Sequence, residues 1–145
     1  MTIDKFRILL VDDNPGDAQL TRLALQEARI HSDLDHVVDG IEALEYLRRQ
    51  GRYTDRPRPH LMLLDLNMPR MDGHQLLAEI KKDETLRSIP VVMLTTSDVE
   101  RDVCHSYDLG AAGFITKPVA YDTLVDALRR LEGYWFALVR LPVTA

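Results

Sequence analysis

The chain has a single cysteine, Cys104, which excludes an internal disulfide framework and a thiolate metal cluster. No apolar run approaches the roughly 18 to 20 residues that a membrane helix needs. The start, Met1-Thr2-Ile3-Asp4-Lys5, has no basic segment leading into an apolar stretch, so no secretory leader is expected. Positive charge is not in excess either: the net charge is −5, which argues against a general nucleic-acid binder, since neutralising phosphates takes clustered Lys and Arg. Aromatic residues make up only 6% of the sequence, while 46% is apolar and 28% charged, the balance of an ordinary globular protein. At 145 residues the chain is expected to form one domain, spanning 1–145, with no room for a separate effector. A cytoplasmic location is the expectation.

Apolar strands and amphipathic helices alternate along the chain. Strands are predicted near 6–11, 33–38, 61–65, 91–95 and 113–116. The first helix, near 16–30, carries Ala18, Leu20, Leu23, Ala24 and Ala28 at helical spacing, with Asn14 as cap and Pro15 in its first turn. Ala43, Leu44 and Leu47 mark a second helix, and Leu76, Leu77 and Ile80 a third. A fourth is expected from an Asp98 cap to Leu109, ended by Gly110, and a fifth from near Ala120 with Leu124, Val125, Leu128 and Leu131. Continuously apolar strands between helices imply an α/β fold, a doubly wound five-stranded parallel sheet covered on both faces. In such sheets ligands sit beyond the carboxyl ends of the strands.

Those strand ends are polar. Ile8-Leu9-Leu10-Val11 runs into Asp12 and Asp13, Leu61-Met62-Leu63-Leu64 into Asp65, Val91-Val92-Met93-Leu94 into Thr95, and Phe114-Ile115-Thr116 into Lys117-Pro118. Adjacent carboxylates repel unless they share a proton or a cation, and hard oxygen donors suit Mg²⁺. Asp13 and Asp65 are expected to ligate the metal directly, Asp12 through water, and the backbone carbonyl of Asn67 to add a ligand. A carboxylate is also a nucleophile toward phosphorus, and such transfer depends chiefly on positioning and charge neutralisation. Asp65 is the expected acceptor, the Thr95 hydroxyl a donor to the phosphoryl oxygens, and Lys117 a balancing cation.

Asp12-Asp13, Asp65-Leu66-Asn67-Met68-Pro69-Arg70-Met71-Asp72-Gly73, Thr95 and Lys117-Pro118 together resemble the signature of response-regulator receiver domains, over residues 6 to about 131. The resemblance implies a flavodoxin-like receiver fold and phosphorylation of Asp65 by a sensor histidine kinase with Mg²⁺. It further implies Thr95 as the switch hydroxyl and Phe114 as an aromatic switch residue that turns inward when Thr95 moves. Val11-Asp12-Asp13-Asn14-Pro15-Gly16-Asp17, Leu94-Thr95-Thr96-Ser97 and Tyr134-Trp135-Phe136 are similar to the stand-alone regulators of bacterial phytochromes, which implies a red-light-sensing partner kinase.

Three rival readings are weaker. An aspartyl phosphatase of the haloacid-dehalogenase type needs a second aspartate two residues after the nucleophile, where this chain has Asn67, so the protein is expected to act on itself alone and not as a turnover enzyme. A flavodoxin-type cofactor binder would place a phosphate where Asp12 and Asp13 repel it. A degenerate receiver serving as a binding scaffold keeps the fold without the chemistry. The segment 134–145 is strongly apolar and is expected to follow the last helix as a contact for a partner or a homodimer, through Tyr134, Trp135 and Phe136. The basic stretch 48–60 reads as a solvated loop, the five histidines as scattered, and Cys104 as a buried small residue. The downstream target is not legible.

Overall fold

The computed structural model describes residues 5–95, 100–116 and 121–137, and at 95, 100, 101, 116 and 134–137 the backbone alone. The expected alternation is present: β1 (Phe6–Val11), α1 (Pro15–Glu27), β2 (Ser32–Val37), α2 (Gly40–Leu47), β3 (Leu61–Leu64), α3 (Gly73–Lys82), β4 (Val91–Thr95), α4 (Glu100–Asp108), β5 (Gly113–Thr116) and α5 (Tyr121–Ala137). The strands form one parallel sheet in the order β2-β1-β3-β4-β5. The order reverses between β1 and β3, so these two strands lie side by side at the sheet's centre.

Alternate residues of each central strand point to opposite faces. Leu9, Val11, Met62, Leu64, Val91 and Met93 pack with Leu44, Leu76, Leu77 and Ile80 from α2 and α3. Ile8, Leu10, Leu61, Leu63 and Val92 pack with Ala24 and Leu25 of α1 and Leu124, Val125 and Leu128 of α5. Both faces being covered, β3 and the stretches 8–11 and 91–94 are apolar at every position, which is why they read as unbroken runs rather than as alternations, whereas the edge strand β2 is mixed.

Local chemistry sets the helix starts. Asn14 Oδ1 accepts from the backbone N–H of Gly16 and Asp17, with Pro15 supplying its fixed φ at the first helical position. Asp39 caps α2 through the Glu42 N–H. Asp72 and Gln75 form a reciprocal capping box at α3. Gly110, at φ +102, ends α4 as the sequence predicts; the Asp98 cap lies outside the described residues.

Five expectations need correction. Leu20 and Leu23 are not core residues of α1: they are 48% and 42% exposed. The buried stripe is Ala18, Thr21, Ala24, Leu25 and Ala28, and Thr21 fits there because its hydroxyl donates to the Asp17 carbonyl. Cys104 is exposed on α4; the buried small residue of that helix is Ser106, whose hydroxyl donates to the Asp102 carbonyl and meets His74 Nε2 at 2.8 Å.

The stretch 48–60 is more than a solvated loop. It contains a 3₁₀ turn, Gly51–Tyr53, with Tyr53 buried against Tyr46. His60 is also buried, and its Nδ1 accepts from the Arg7 backbone N–H at 3.0 Å. Burial, and then the Arg7 charge, push the His60 imidazole down to about 4, so it serves as a neutral acceptor. Nor are the histidines all isolated: His74 and His105 meet edge to face, 4.5 Å between ring centres, where α3 crosses α4. Finally, α5 continues through Tyr134–Phe136 to Ala137 instead of giving way to a separate tail at 134.

Candidate functional site

The centre of the sheet brings the acidic residues together. Val11 is in register with Leu64, so the residues that follow each strand emerge side by side. The Asp65 N–H bonds the Val11 carbonyl at 2.9 Å, extending the β1–β3 ladder by one rung, and the Asp12 N–H bonds the Val37 carbonyl at 3.1 Å on the other side. Asp12, Asp13 and Asp65 each present a carboxylate oxygen within 4.8 Å of the others. Asp12 and Asp65 are buried and Asp13 is exposed, so the cluster is a shallow cup open on the Asp13 side.

Backbone N–H groups hold two of these carboxylates. The Asn14 N–H donates to Asp12 Oδ1 at 2.9 Å, and the Asn67 N–H reaches Asp65 Oδ1 at 3.3 Å. These bonds offset only part of the repulsion among three converging negative charges. A divalent cation with oxygen coordination offsets far more, and the donor set here, all carboxylate, fits Mg²⁺.

The loop from Asp65 to α3 is anchored at several points. The Gly73 N–H bonds the Leu66 carbonyl at 2.8 Å. A Cβ on Gly73 would come within 2.4 Å of the Asp65 carbonyl oxygen and 2.8 Å of Leu66 Cα, so only glycine permits the helix start to approach the end of β3 so closely. Arg70, at φ +66, turns back toward α2. Its Nε and terminal nitrogen meet Asp39 Oδ2 at 2.8 and 2.6 Å. Burial alone would raise the Asp39 carboxyl, but the Glu42 N–H and the Arg70 guanidinium outweigh it and hold the group below the usual carboxylate range. Met71 rests on Gly40, where a Cβ would lie 2.7 Å from the Met71 side chain. The loop carrying Asn67 is thereby fixed to the start of α2.

Two contributors were not visible in the sequence. His36, at the end of β2, places Nε2 2.6 Å from the Asp12 carbonyl oxygen, on the back of the carboxylate cup. The Arg70–Asp39 pair spans 31 positions, and no local pattern in the sequence marks it. Among the other site residues, Phe114 is in register with Met93 and partly buried against the α2–α3 side of the core. The backbone places Thr95 at the end of β4 in register with Thr116. The Thr95 side chain and all of Lys117 lie outside the described residues, as do the side chains of Tyr134, Trp135 and Phe136.

A doubly wound parallel sheet with a carboxylate cup at the switch in strand order is an architecture suited to a divalent cation, and comparison with known proteins identifies the family. Residues 8–129 match the response regulator receiver domain. The chain is 42% identical over 135 residues to the response regulator Rcp1 of Synechocystis sp., covering 93% of this chain and 92% of that protein. It superposes on the phosphorylated cyanobacterial phytochrome response regulator RcpA with a TM-score of 0.86 at 43% identity, over 96% of this chain and 99% of the other. The Mn²⁺-bound form of Rcp1 gives a TM-score of 0.82 at 42% identity, over 94% and 99%.

The chain belongs to the response-regulator receiver family, and is a homologue of the phytochrome response regulators Rcp1 and RcpA. Receiver domains are in general phosphoacceptors rather than turnover enzymes, they bind a divalent metal, and they interact with histidine kinases. Among the described residues, no helix is long and apolar enough to cross a membrane.

Proposed function

We propose that Asp65 accepts a phosphoryl group from the phosphohistidine of a sensor kinase, and that Asp12, Asp13, Asp65 and the Asn67 carbonyl hold the Mg²⁺ that supports the transfer. The observation that carries this reading is the convergence of three carboxylates within 4.8 Å at the ends of the two central strands. An Asp65 carboxylate oxygen forms the new bond to phosphorus, the P–N bond to the kinase histidine breaks, and the ring nitrogen keeps the electron pair. The bound cation supplies positive charge to the phosphoryl oxygens and reduces repulsion between the carboxylates and the incoming group. The Asn67 N–H steadies Asp65, the Thr95 hydroxyl donates to a phosphoryl oxygen, and Lys117 pairs with another. Asn67 stands where a phosphatase would carry a general acid, so the aspartyl phosphate persists as a signal, and the protein catalyses only its own phosphorylation and dephosphorylation.

In this reading Thr95 moves toward the phosphoryl group, Phe114 turns inward behind it, and the face built from α4, β5 and α5 shifts between pre-existing states. The partner kinase is a phytochrome-type red-light sensor, a reading supported by the resemblance to RcpA. Residues 1–145 act as one receiver unit in the cytoplasm, and output passes through a protein partner, without direct contact to nucleic acid or membrane. When a bacteriophytochrome kinase is first autophosphorylated with labelled ATP and then mixed with this protein, label is expected to move to the receiver within seconds to minutes in Mg²⁺ and to stay on the kinase in EDTA. Retention of label on the kinase in both conditions would contradict the proposed partner.

The same proposal makes the protein a homodimer through the last turn of α5 and the residues after it, with Tyr134, Trp135 and Phe136 at the contact. Aromatic side chains concentrated at a helix end favour this over an isolated surface. Removal of 134–145 is expected to halve the mass seen by light scattering while leaving Asp65 phosphorylatable. A truncated chain that still scatters as a dimer places the contact elsewhere.

A further inference from the structure

At the N-terminal end of the sheet, away from the carboxylate cup, a cleft of about 420 Å³ opens along the edge strand β2. Arg7 in its wall precedes Asp12 by five residues on β1, about 16 Å at the rise of a strand. The cleft straddles the sheet edge, with Leu25, Gln26 and Ile30 on the α1 side and Tyr46, Arg56 and Pro57 on the α2 side. A smaller cavity of about 160 Å³ adjoins it, sharing Tyr46, Arg56 and Pro57 and adding Arg49 and Arg58. Arginines are thus gathered at one end of a chain whose net charge is −5.

Among the described residues, several of these arginines have no carboxylate within ion-pair distance. Arg22 reaches across the sheet edge to donate to the Leu34 carbonyl at 2.9 Å, and Arg7 Nε donates to the Arg58 carbonyl at 3.0 Å; neither pairs with an acid among the described residues. Arg56 lies 3.5 Å from Asp35, whose carboxylate also accepts from the Tyr46 hydroxyl at 2.5 Å. Asp33, the other acid of the lining, faces Lys5 at 3.3 Å. The wall therefore combines guanidinium groups with spare donors, apolar surface from Leu25, Ile30 and Pro57, and two carboxylates able to accept hydrogen bonds.

We infer that this cleft is a binding site for a mononucleotide-sized organic anion. A guanidinium fork matches a phosphate or carboxylate, and clefts of roughly 300–1,000 Å³ hold small organic ligands. A nucleotide uses all three kinds of lining: its phosphate meets Arg7 and Arg22, its base lies against Arg56 and Pro57, and its ribose hydroxyls or exocyclic amine donate to Asp33 or Asp35. Inorganic phosphate uses only the first. The site is independent of Asp12, Asp13 and Asp65.

Calorimetric titration of the full chain with AMP, GMP and inorganic phosphate, in EDTA to keep metal off the carboxylate cup, tests the inference. One of the nucleotides is expected to bind saturably, at least about tenfold more tightly than phosphate. Arg22→Gln and Arg56→Gln are each expected to weaken it by about tenfold, the scale of one lost charge-assisted hydrogen bond. Arg22→Lys keeps the charge without the fork and is expected to fall between. All three variants should still gain a phosphoryl group on Asp65 with Mg²⁺, which separates loss of this site from loss of the fold or of the receiver chemistry. No saturable binding of either nucleotide, equal binding of inorganic phosphate, or nucleotide binding unchanged in both glutamine variants would each overturn the assignment.

Discussion

Asp13→Asn is expected to weaken Mg²⁺ or Mn²⁺ binding by about 100-fold, with Asp12→Asn close behind. Two charges about 4 Å apart interact by about 4 kcal/mol at an effective dielectric of 20, and a divalent ion doubles that. Relief of repulsion among the remaining carboxylates returns part of it, which leaves about 2–3 kcal/mol, or roughly 100-fold. The asparagine side chain keeps the shape and one acceptor oxygen, so at position 12 the Asn14 N–H still has a partner. The same substitutions should raise the melting temperature of the metal-free protein by a few degrees, because they remove like charge held within 4.8 Å. Titration of each variant with Mn²⁺, paired with thermal denaturation in EDTA, reads both effects. Metal affinity equal to the wild type would mean that the cluster is not the metal site.

Gly73→Val should be severely disruptive. The new Cβ would lie 2.4 Å from the Asp65 carbonyl oxygen and 3.1 Å from its carbon. Both are backbone atoms of a strand fixed by the Asp65–Val11 hydrogen bond. No flexible side chain can yield, so either α3 or the loop after β3 must move. Overpacking of this kind costs about 1–3 kcal/mol, and branching at Cβ pushes toward the upper end. In a chain of this length each kcal/mol lowers the melting temperature by about 2–4 °C. Gly133→Ala is the matched control: nothing lies within 4 Å of its Cβ, and it sits inside α5. There alanine should stabilise by up to about 1 kcal/mol. Chemical denaturation of both variants checks the pair, and a Gly73→Val protein as stable as the wild type would show that the approach of α3 to Asp65 is looser than described.

The sheet and its polar ends were legible in the sequence for a specific reason. Parallel strands buried on both faces leave no polar positions inside them, so the first polar residue after each run marks its carboxyl end. Asp12 and Asp65 announce themselves in this way, and the β1–β3 pairing then brings them together. Helix α1 was harder to read. At 100° per residue Ala18, Thr21, Ala24, Leu25 and Ala28 fill an arc of about 120°. Leu20 falls about 40° outside that arc and Leu23 nearly opposite its centre, and a pattern of apolar letters counts them while passing over Thr21, whose hydroxyl is satisfied within the helix. A similar exchange misplaced Cys104, since Ser106 takes the buried position once its hydroxyl has two partners.

Contacts distant in sequence were the least legible part of the site. The Arg70–Asp39 pair joins a loop to a helix cap across 31 positions, and His36 reaches the Asp12 carbonyl from the next strand. Neither contact leaves a periodic or compositional mark. The basic stretch 48–60 looked solvated because its composition is polar, yet Tyr53 and His60 anchor it to the body of the protein. The arginines it holds in place frame the cleft at the edge of β2.

We propose Asp65 as a metal-dependent phosphoacceptor, and intact-mass spectrometry tests that directly. The wild type and Asp65→Asn are incubated with acetyl phosphate, with Mg²⁺ or with EDTA. The wild type is expected to gain the mass of one phosphoryl group in Mg²⁺, with no gain in EDTA or on Asp65→Asn under either condition. An adduct that forms equally on Asp65→Asn, or a wild type left unmodified in Mg²⁺, would contradict it.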